Sequence, residues 1–235
     1  MLRFKGVLNA AGNKQYMQAM DIVKETQEHG NHVTNLLSQA DVLQLAGYTA
    51  VEYCGGPAMN FRMGRKDIEQ EGESKDLVLN LKSQNSSGQE LVTKINQMDL
   101  TPAEKVALMG SFTLGFANDQ EDTKKNRWVM NPYVFDNTYF KEVLLGSKSI
   151  YLKTQDDLAL LENPATKEWV EAYAQDQALF FENYAKAHVK VSELGYEEGE
   201  LLSEINEADM VNGGYQEFGG AHWTKKFSFF TNVET

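Results

Sequence analysis

The sequence DLTPAEKVALMGSFTLGFA, residues 99–117, carries the most complete helix signal in this chain. Thr101 is placed as the N-cap, Pro102 takes the first helical position, and Glu104 closes a capping box with Thr101. The apolar body VALMGSFTLGFA follows directly, so we predict a helix from Pro102 to about Ala117.

Other helix signals recur along the chain, whereas strand signals are few and short. Apolar residues at helical spacing, together with caps and terminating glycines, predict helices at residues 14–27, 38–53, 90–97, 135–146, 164–173 and 176–195. The predicted N-caps are Ser38, with Asp41 completing a capping box, Asn163 and Asp176. The best strand candidate is SIYLK, residues 149–153, and residues 60–90 are polar and predicted to be surface loop. The sequence therefore predicts a mainly α fold with few short strands.

Composition narrows the classes of partner. The 235 residues carry a net charge of −12 and a single cysteine, Cys54, which we expect to be a buried, inert thiol. The acidic charge disfavours nucleic acid or an anionic membrane as a direct partner. One cysteine cannot form an internal disulfide. No apolar run reaches the roughly 18 residues needed to cross a bilayer, so we expect no transmembrane segment.

Four further segments, in order, resemble the class I haem peroxidases, and ascorbate peroxidase in particular. The resemblance covers about residues 2–196. Its segments are ADVLQLAGYTAVEYCGGPAMNFRMGRKD (40–67), WVMNPYVFDNTYFKEVLLG (128–146), DLALLENP (157–164) and YAQDQALFFENYAKAHVKVSELGY (173–196). It implies a haem-peroxidase-like helical fold, in which haem lies between a distal and a proximal helix. Residues 99–117 match the proximal helix.

The resemblance divides the chain into a truncated ascorbate-peroxidase-like domain, residues 1–196, and a C-terminal extension, residues 197–235. The family's distal helix carries Arg, Trp and His, but no Arg-x-x-Trp-His pattern occurs here. We therefore expect the fold to lack the distal helix, and with it the acid–base group needed to cleave a peroxide bond.

On the proximal side, Phe112 stands where the family has the histidine that binds the haem iron. An iron ligand must offer a lone pair, and a phenyl ring has none. Trp128 and Asp157 match the proximal Trp and the Asp that orients the lost histidine. We expect a vestigial proximal pocket that binds no haem or other cofactor. The four histidines fall elsewhere and are expected to be solvated or structural: His29, His32, His188 and His222.

Two other family sites are altered. A monovalent cation site of the family matches Thr113, Val129, Asn131 and Asp136, and Val129 cannot supply a side-chain ligand. We expect no metal, because Asn131 and Asp136 can equally serve as turn and helix-capping residues. The family's ascorbate-contacting Arg falls near Glu121, where the charge is reversed.

Asp157 leaves two interpretations open. A carboxylate without its imidazole is costly to bury unless it is hydrogen-bonded. It can accept from the indole of Trp128 and from a backbone N–H or water. Alternatively, it can cap a helix beginning at Leu158.

Together these substitutions predict a non-catalytic pseudoenzyme of peroxidase fold, acting as a structural or accessory subunit of a larger complex. The extension supplies candidate partner-binding residues, because aromatic side chains are enriched at interface hot spots. They are Tyr215, Phe218, Trp223, Phe227, Phe229 and Phe230. They could equally cover the protein's own cleft, and a homologous peroxidase-like subunit is a possible partner.

Two alternatives remain open at this point. The first is a haem-binding peroxidase or redox sensor with unusual ligation, supported by Trp128 and Asp157. The second is a small-molecule binder reusing the emptied pocket. For the scaffold, the compartments of the resembled family suggest an organelle, with an inner-membrane-associated respiratory complex of the mitochondrion favoured over the plastid.

Overall fold

The computed structural model describes residues 17–29, 37–67, 100–117, 124–197 and 199–201. Seven α-helices lie within these ranges: α1 Met17–His29, α2 Gln39–Tyr53, α3 Pro102–Met109, α4 Thr138–Leu145, α5 Gln155–Glu162, α6 Pro164–Gln175 and α7 Gln177–Ser192. Short 3₁₀ helices follow α3 at Gly110–Thr113 and α4 at Gly146–Lys148. The predicted mainly α fold is confirmed. Most of the extension, and the predicted helix at 90–97, lie outside the described residues.

Helix α3 has the predicted beginning but an earlier end. The Thr101 side chain accepts from Glu104 N, and the Glu104 side chain accepts from Thr101 N, which completes the capping box. The α-helix stops at Met109 rather than near Ala117, and the chain continues as a 3₁₀ turn from Gly110. Glycine is a poor residue inside a helix, so the break falls at a position of low helix propensity.

The predicted strand at residues 149–153 is wrong, because this segment has no strand conformation. Its backbone bends instead between the end of α4 and the start of α5, and Leu152 N donates to Arg127 O at 2.9 Å. A run of three consecutive apolar residues, as in SIYLK, is too short to distinguish a strand from an extended connection.

The core is an aromatic cluster between α3, α4, α6 and α7. Phe140 on α4 lies 4.9 Å from Phe180 on α7 and 5.2 Å from Tyr173 on α6, measured between ring centroids. All three side chains are fully buried. Gly110 lets the proximal segment approach these rings, because a Cβ there would lie 2.5 Å from Phe180 and 2.7 Å from Phe140.

A buried ion pair fastens α2 to the end of α7. Asp41 accepts from Arg65 Nη1 at 2.8 Å, and both side chains are almost completely buried. Arg65 Nη2 also donates to Ser192 O at 2.9 Å, while the hydroxyls of Tyr48 and Ser192 lie 2.8 Å apart. Ser38 caps α2 as predicted. Asp41 bonds to Arg65 and Gly64 N, so the reciprocal half of its predicted capping box is replaced by a tertiary contact.

Candidate functional site

Phe112 lies in the 3₁₀ turn that follows α3. Its half-buried ring stacks on Trp128 with centroids 4.9 Å apart and planes inclined by 28°, and it lies 6.2 Å from the ring of Tyr139. The turn presents the ring to this aromatic pair because α3 ends at Met109. A phenyl ring packed in this way offers area for contact but no atom that can bind iron.

Trp128 and Asp157 form the hydrogen bond predicted from the sequence. The indole Nε1 donates to Asp157 Oδ2 at 2.8 Å, and both residues are buried. The predicted backbone donor is also present, since Thr154 N donates to the same oxygen at 2.7 Å. The Thr154 hydroxyl adds a third donor at 2.8 Å. Oδ2 is thus held by three donors.

Asp157 has a second role in the capping of helix α5, whose first residue was predicted incorrectly. Helix α5 begins at Gln155 rather than Leu158, and its N-cap is Thr154. Asp157 is the third helical residue and closes a capping box with Thr154, so it is not itself the N-cap. The spacing of Thr154 and Asp157 was the signal that could have shown this.

Tyr139 is the functional neighbour that the sequence did not reveal. Its hydroxyl donates to Asp157 Oδ1 at 2.7 Å from α4. Burial, reinforced by the carboxylate of Asp157, raises the pKa of Tyr139 well above its ordinary value, so the phenol stays protonated and remains a donor. Both oxygens of Asp157 are therefore engaged within the protein.

Lys153 borders the same cluster. Its ammonium donates to Trp128 O at 3.3 Å and to Leu152 O at 2.9 Å. Burial lowers the pKa of Lys153, while the carboxylates of Glu142 and Asp157 oppose that change. The lysine thus places a positive charge beside the Trp128–Asp157 pair.

The cation-site residues are only partly brought together. The Thr113 hydroxyl donates to Asp136 Oδ1 at 3.1 Å, and the same oxygen accepts from Thr138 N at the start of α4. Asn131 Oδ1 accepts from Tyr133 N in a local turn, and Val129 is buried. In the described ranges no group of three or more His, Cys, Asp or Glu side chains could hold a metal ion.

Several predicted site residues lie outside the described ranges. These are Glu121 and the aromatic residues of the extension, Tyr215, Phe218, Trp223, Phe227, Phe229 and Phe230. Their roles stay predictions. Within the described ranges, no helix is both long and apolar enough to span a membrane.

Comparison with known proteins decides the family. The Peroxidase family model matches residues 1–176, three quarters of the chain. The chain belongs to the peroxidase family. Within it, the relatives place this member with the ascorbate peroxidases. It is 37% identical over 195 residues to L-ascorbate peroxidase 5, peroxisomal, of Arabidopsis thaliana, covering 83% of this chain and 67% of the relative.

Two cytosolic relatives have a higher sequence identity over a shorter match. L-ascorbate peroxidase 2, cytosolic, is 40% identical over 166 residues in Arabidopsis thaliana, and the Oryza sativa subsp. japonica protein of that name is 41% identical over 168 residues. These matches cover 70% and 69% of this chain, and 64% of each relative. The chain thus spans about two thirds of the length of the ascorbate peroxidases it matches.

The described residues of this family member do not fit a haem iron at the proximal position. Phe112 has no donor atom, and Met109 is buried in the hydrophobic core. His188 is held on α7, with Nδ1 3.1 Å from the hydroxyl of Tyr184 and its ring 4.7 Å from that of Tyr48. Burial lowers the pKa of His188 to about 4. The structure therefore places the described histidine ring in a tyrosine-lined contact rather than beside Phe112.

Proposed function

We propose that this member of the peroxidase family is a pseudoenzyme that binds no haem and serves as a structural or accessory subunit of a larger protein complex. The observation that carries the proposal is the stack of Phe112 on Trp128 at 4.9 Å, together with an Asp157 that accepts four hydrogen bonds from within the chain. An aromatic ring stands where the resembled family places its iron ligand, and the carboxylate that would orient that ligand is already satisfied.

Haem titration of the purified full chain tests the first half of the proposal. We expect that added haem produces no Soret band that saturates at one haem per chain. The cytosolic ascorbate peroxidase 2 of Arabidopsis thaliana is the positive control, in which such a band is expected. The matched variant Phe112→His restores a nitrogen donor and should increase haem absorbance relative to the natural chain. A stoichiometric Soret band in the natural chain would support the alternative, a haem protein with unusual ligation. Equal spectra from both chains would refute the role given to Phe112.

The second half concerns assembly and compartment. A protein without catalytic activity is retained when its surface binds another protein. A homologous peroxidase-like subunit is one candidate for that partner. We propose an organellar complex, with mitochondrial inner-membrane association ahead of plastid. The named relatives are cytosolic or peroxisomal. Subcellular fractionation and the native mass of the tagged chain test both points. Recovery as a free monomer from the cytosol would contradict them.

A further inference from the structure

A surface groove lies between residues 58–62 and one face of helix α7, and we name it the α7 groove. It has a volume of about 520 Å³, and residues 185, 186, 189, 190 and 193 form its helix side. These positions recur at helical spacing, so they share one face of α7. Apolar lining comes from both sides of the groove, through Ala58, Met59, Ala185 and Val189. A volume of this size is within the range of about 300–1,000 Å³ that is typical of binding clefts.

The chain returns to the α7 groove after α7 ends. The ring centroid of Tyr196 lies 6.0 Å from the guanidinium carbon of Arg65. Leu201 is buried, and its Cδ2 would lie 3.8 Å from a Cβ placed on Gly64. Gly64 is two residues from Arg62, which lines the α7 groove. Leu201 is the last described residue. The residues that follow it therefore start close to the rim of the groove.

The next part of the sequence, LSEINEAD, matches the α7 groove in reach and in polarity. We name these residues, 202–209, the acidic segment, and they lie outside the described ranges. The groove side of α7, from residue 185 to residue 193, is about 12 Å long, and about four extended residues cover that distance. Leu202 and Ile205 are apolar, while Glu204, Glu207 and Asp209 are acidic. The acidic segment can thus follow the groove and bring two apolar side chains to its apolar lining.

Charge alone does not select the acidic segment. Three cations and one carboxylate line the α7 groove: Arg62, Lys186, Lys190 and Glu193. Glu182 and Glu104 pair with the two lysines at 2.6 and 3.6 Å, which brings the local charge to zero. At the rim, the sequence adds Glu197, Glu198 and Glu200 against Lys66. Apolar contact must therefore supply most of the affinity. The lysines contribute donors, because exposed ion pairs are weak and an ammonium has three N–H groups to share between carboxylates.

We propose that the acidic segment of this chain docks in the α7 groove. Because the segment is tethered beside the groove, its effective concentration there is in the millimolar range, so weak apolar contacts are sufficient to hold it. A free ligand or another protein lacks this advantage and would have to displace the segment. The α7 groove is therefore occupied by the chain itself, and the rest of the extension starts from it. This inference concerns a single chain and does not depend on the subunit role proposed above.

A photo-crosslinking residue at position 206 of the full chain tests the docking. Mass spectrometry of a mixture of ordinary and isotope-labelled chains separates crosslinks within one chain from crosslinks between copies. We expect crosslinks within one chain, to residues 58–62 or to the groove side of α7. The segment variant, Leu202→Ser with Ile205→Ser, should lose about tenfold or more of these crosslinks. The control variant, Phe227→Ser with Phe229→Ser, changes two apolar residues of the same extension and should keep the natural yield.

A second pair of variants tests the groove side. Lys186→Glu with Lys190→Gln should reduce the crosslinks within one chain by about threefold or more. Lys167→Glu with Lys148→Gln makes the same change of charge at exposed lysines elsewhere and should not. Circular dichroism checks that each chain is folded. The inference is overturned if position 206 crosslinks only outside the groove or only to other copies, or if the folded segment variant keeps the natural yield. Equal yields from the two lysine variants would also overturn it, because carboxylates docked beside residue 186 must respond to its charge.

Discussion

Substitution of Asp157 should separate the structural role of the cluster from any catalytic one. The carboxylate is fully buried and accepts from Trp128 Nε1, the Tyr139 hydroxyl, and both the backbone N and hydroxyl of Thr154. Asp157→Ala leaves the indole and the phenol as buried donors without acceptors, at about 1–3 kcal/mol each. Loss of the capping box adds about 1 kcal/mol. The expected loss is about 3–7 kcal/mol, a large part of the stability of a typical domain.

Asp157→Asn should cost far less, because the two oxygens have different neighbours. The amide oxygen can occupy the Oδ2 position, where three donors converge. The amide nitrogen then faces Tyr139, whose hydroxyl can rotate to accept instead of donate. We expect a loss of about 1 kcal/mol, the net contribution of a single altered hydrogen bond.

Urea denaturation followed by far-ultraviolet circular dichroism measures both losses on the full chain. Tyr139→Phe is the matched control, because it removes one donor and leaves the three at Oδ2 in place. It should fall between the natural chain and Asp157→Ala. Two results would refute the reasoning: an Asp157→Ala loss below about 1 kcal/mol, or an Asp157→Asn loss equal to that of Asp157→Ala.

Gly110→Ala should lower stability by about 1–3 kcal/mol, since its Cβ would lie 2.5 Å from a buried ring. In contrast, Gly47→Ala, which meets nothing within 4 Å on α2, should raise it by about 0.5–1 kcal/mol in the same denaturation assay. Arg65→Met should cost about 3–5 kcal/mol, because Asp41 would stay buried without its cation; a negligible shift in the urea midpoint would contradict this. His188 has its pKa lowered by burial from 6.5 to about 4, so the folded state binds fewer protons and stability falls as pH drops through that range. His188→Gln should flatten that slope, and parallel pH profiles would argue against it.

Local signals in the sequence predicted the N-caps of four helices correctly, but not the beginnings of α4 and α5. Ser38, Thr101, Asn163 and Asp176 all cap helices as expected, because each cap depends on residues within three positions of one another. Helix ends were less predictable. The apolar run after Met109 continues the helical pattern, but the approach of Phe180 to Gly110 is a long-range contact that no local pattern encodes.

The site shows the same division between local and long-range information. The bond between Trp128 and Asp157 was predicted through a family resemblance rather than through spacing, since 29 residues separate the two. Tyr139 reaches Asp157 from another helix, and the sequence offered no periodic signal for that contact. The Thr154–Asp157 capping box was local and could have been recognised. The stack of Phe112 on Trp128 depends on the unforeseen 3₁₀ turn.

Retention of Trp128 and Asp157 is the sequence feature that most favours a haem protein, and the structure gives these residues a sufficient role without haem. Asp157 closes the cap of α5 and satisfies two buried donors, so its loss would destabilise the fold whether or not iron is bound. Trp128 supplies one of those donors and the face on which Phe112 packs. A network that contributes to folding persists after its catalytic use ends, whereas an iron ligand with no folding role is free to change. Phe112 packed between the side chains of Trp128 and Tyr139 is therefore the arrangement that the proposed pseudoenzyme predicts.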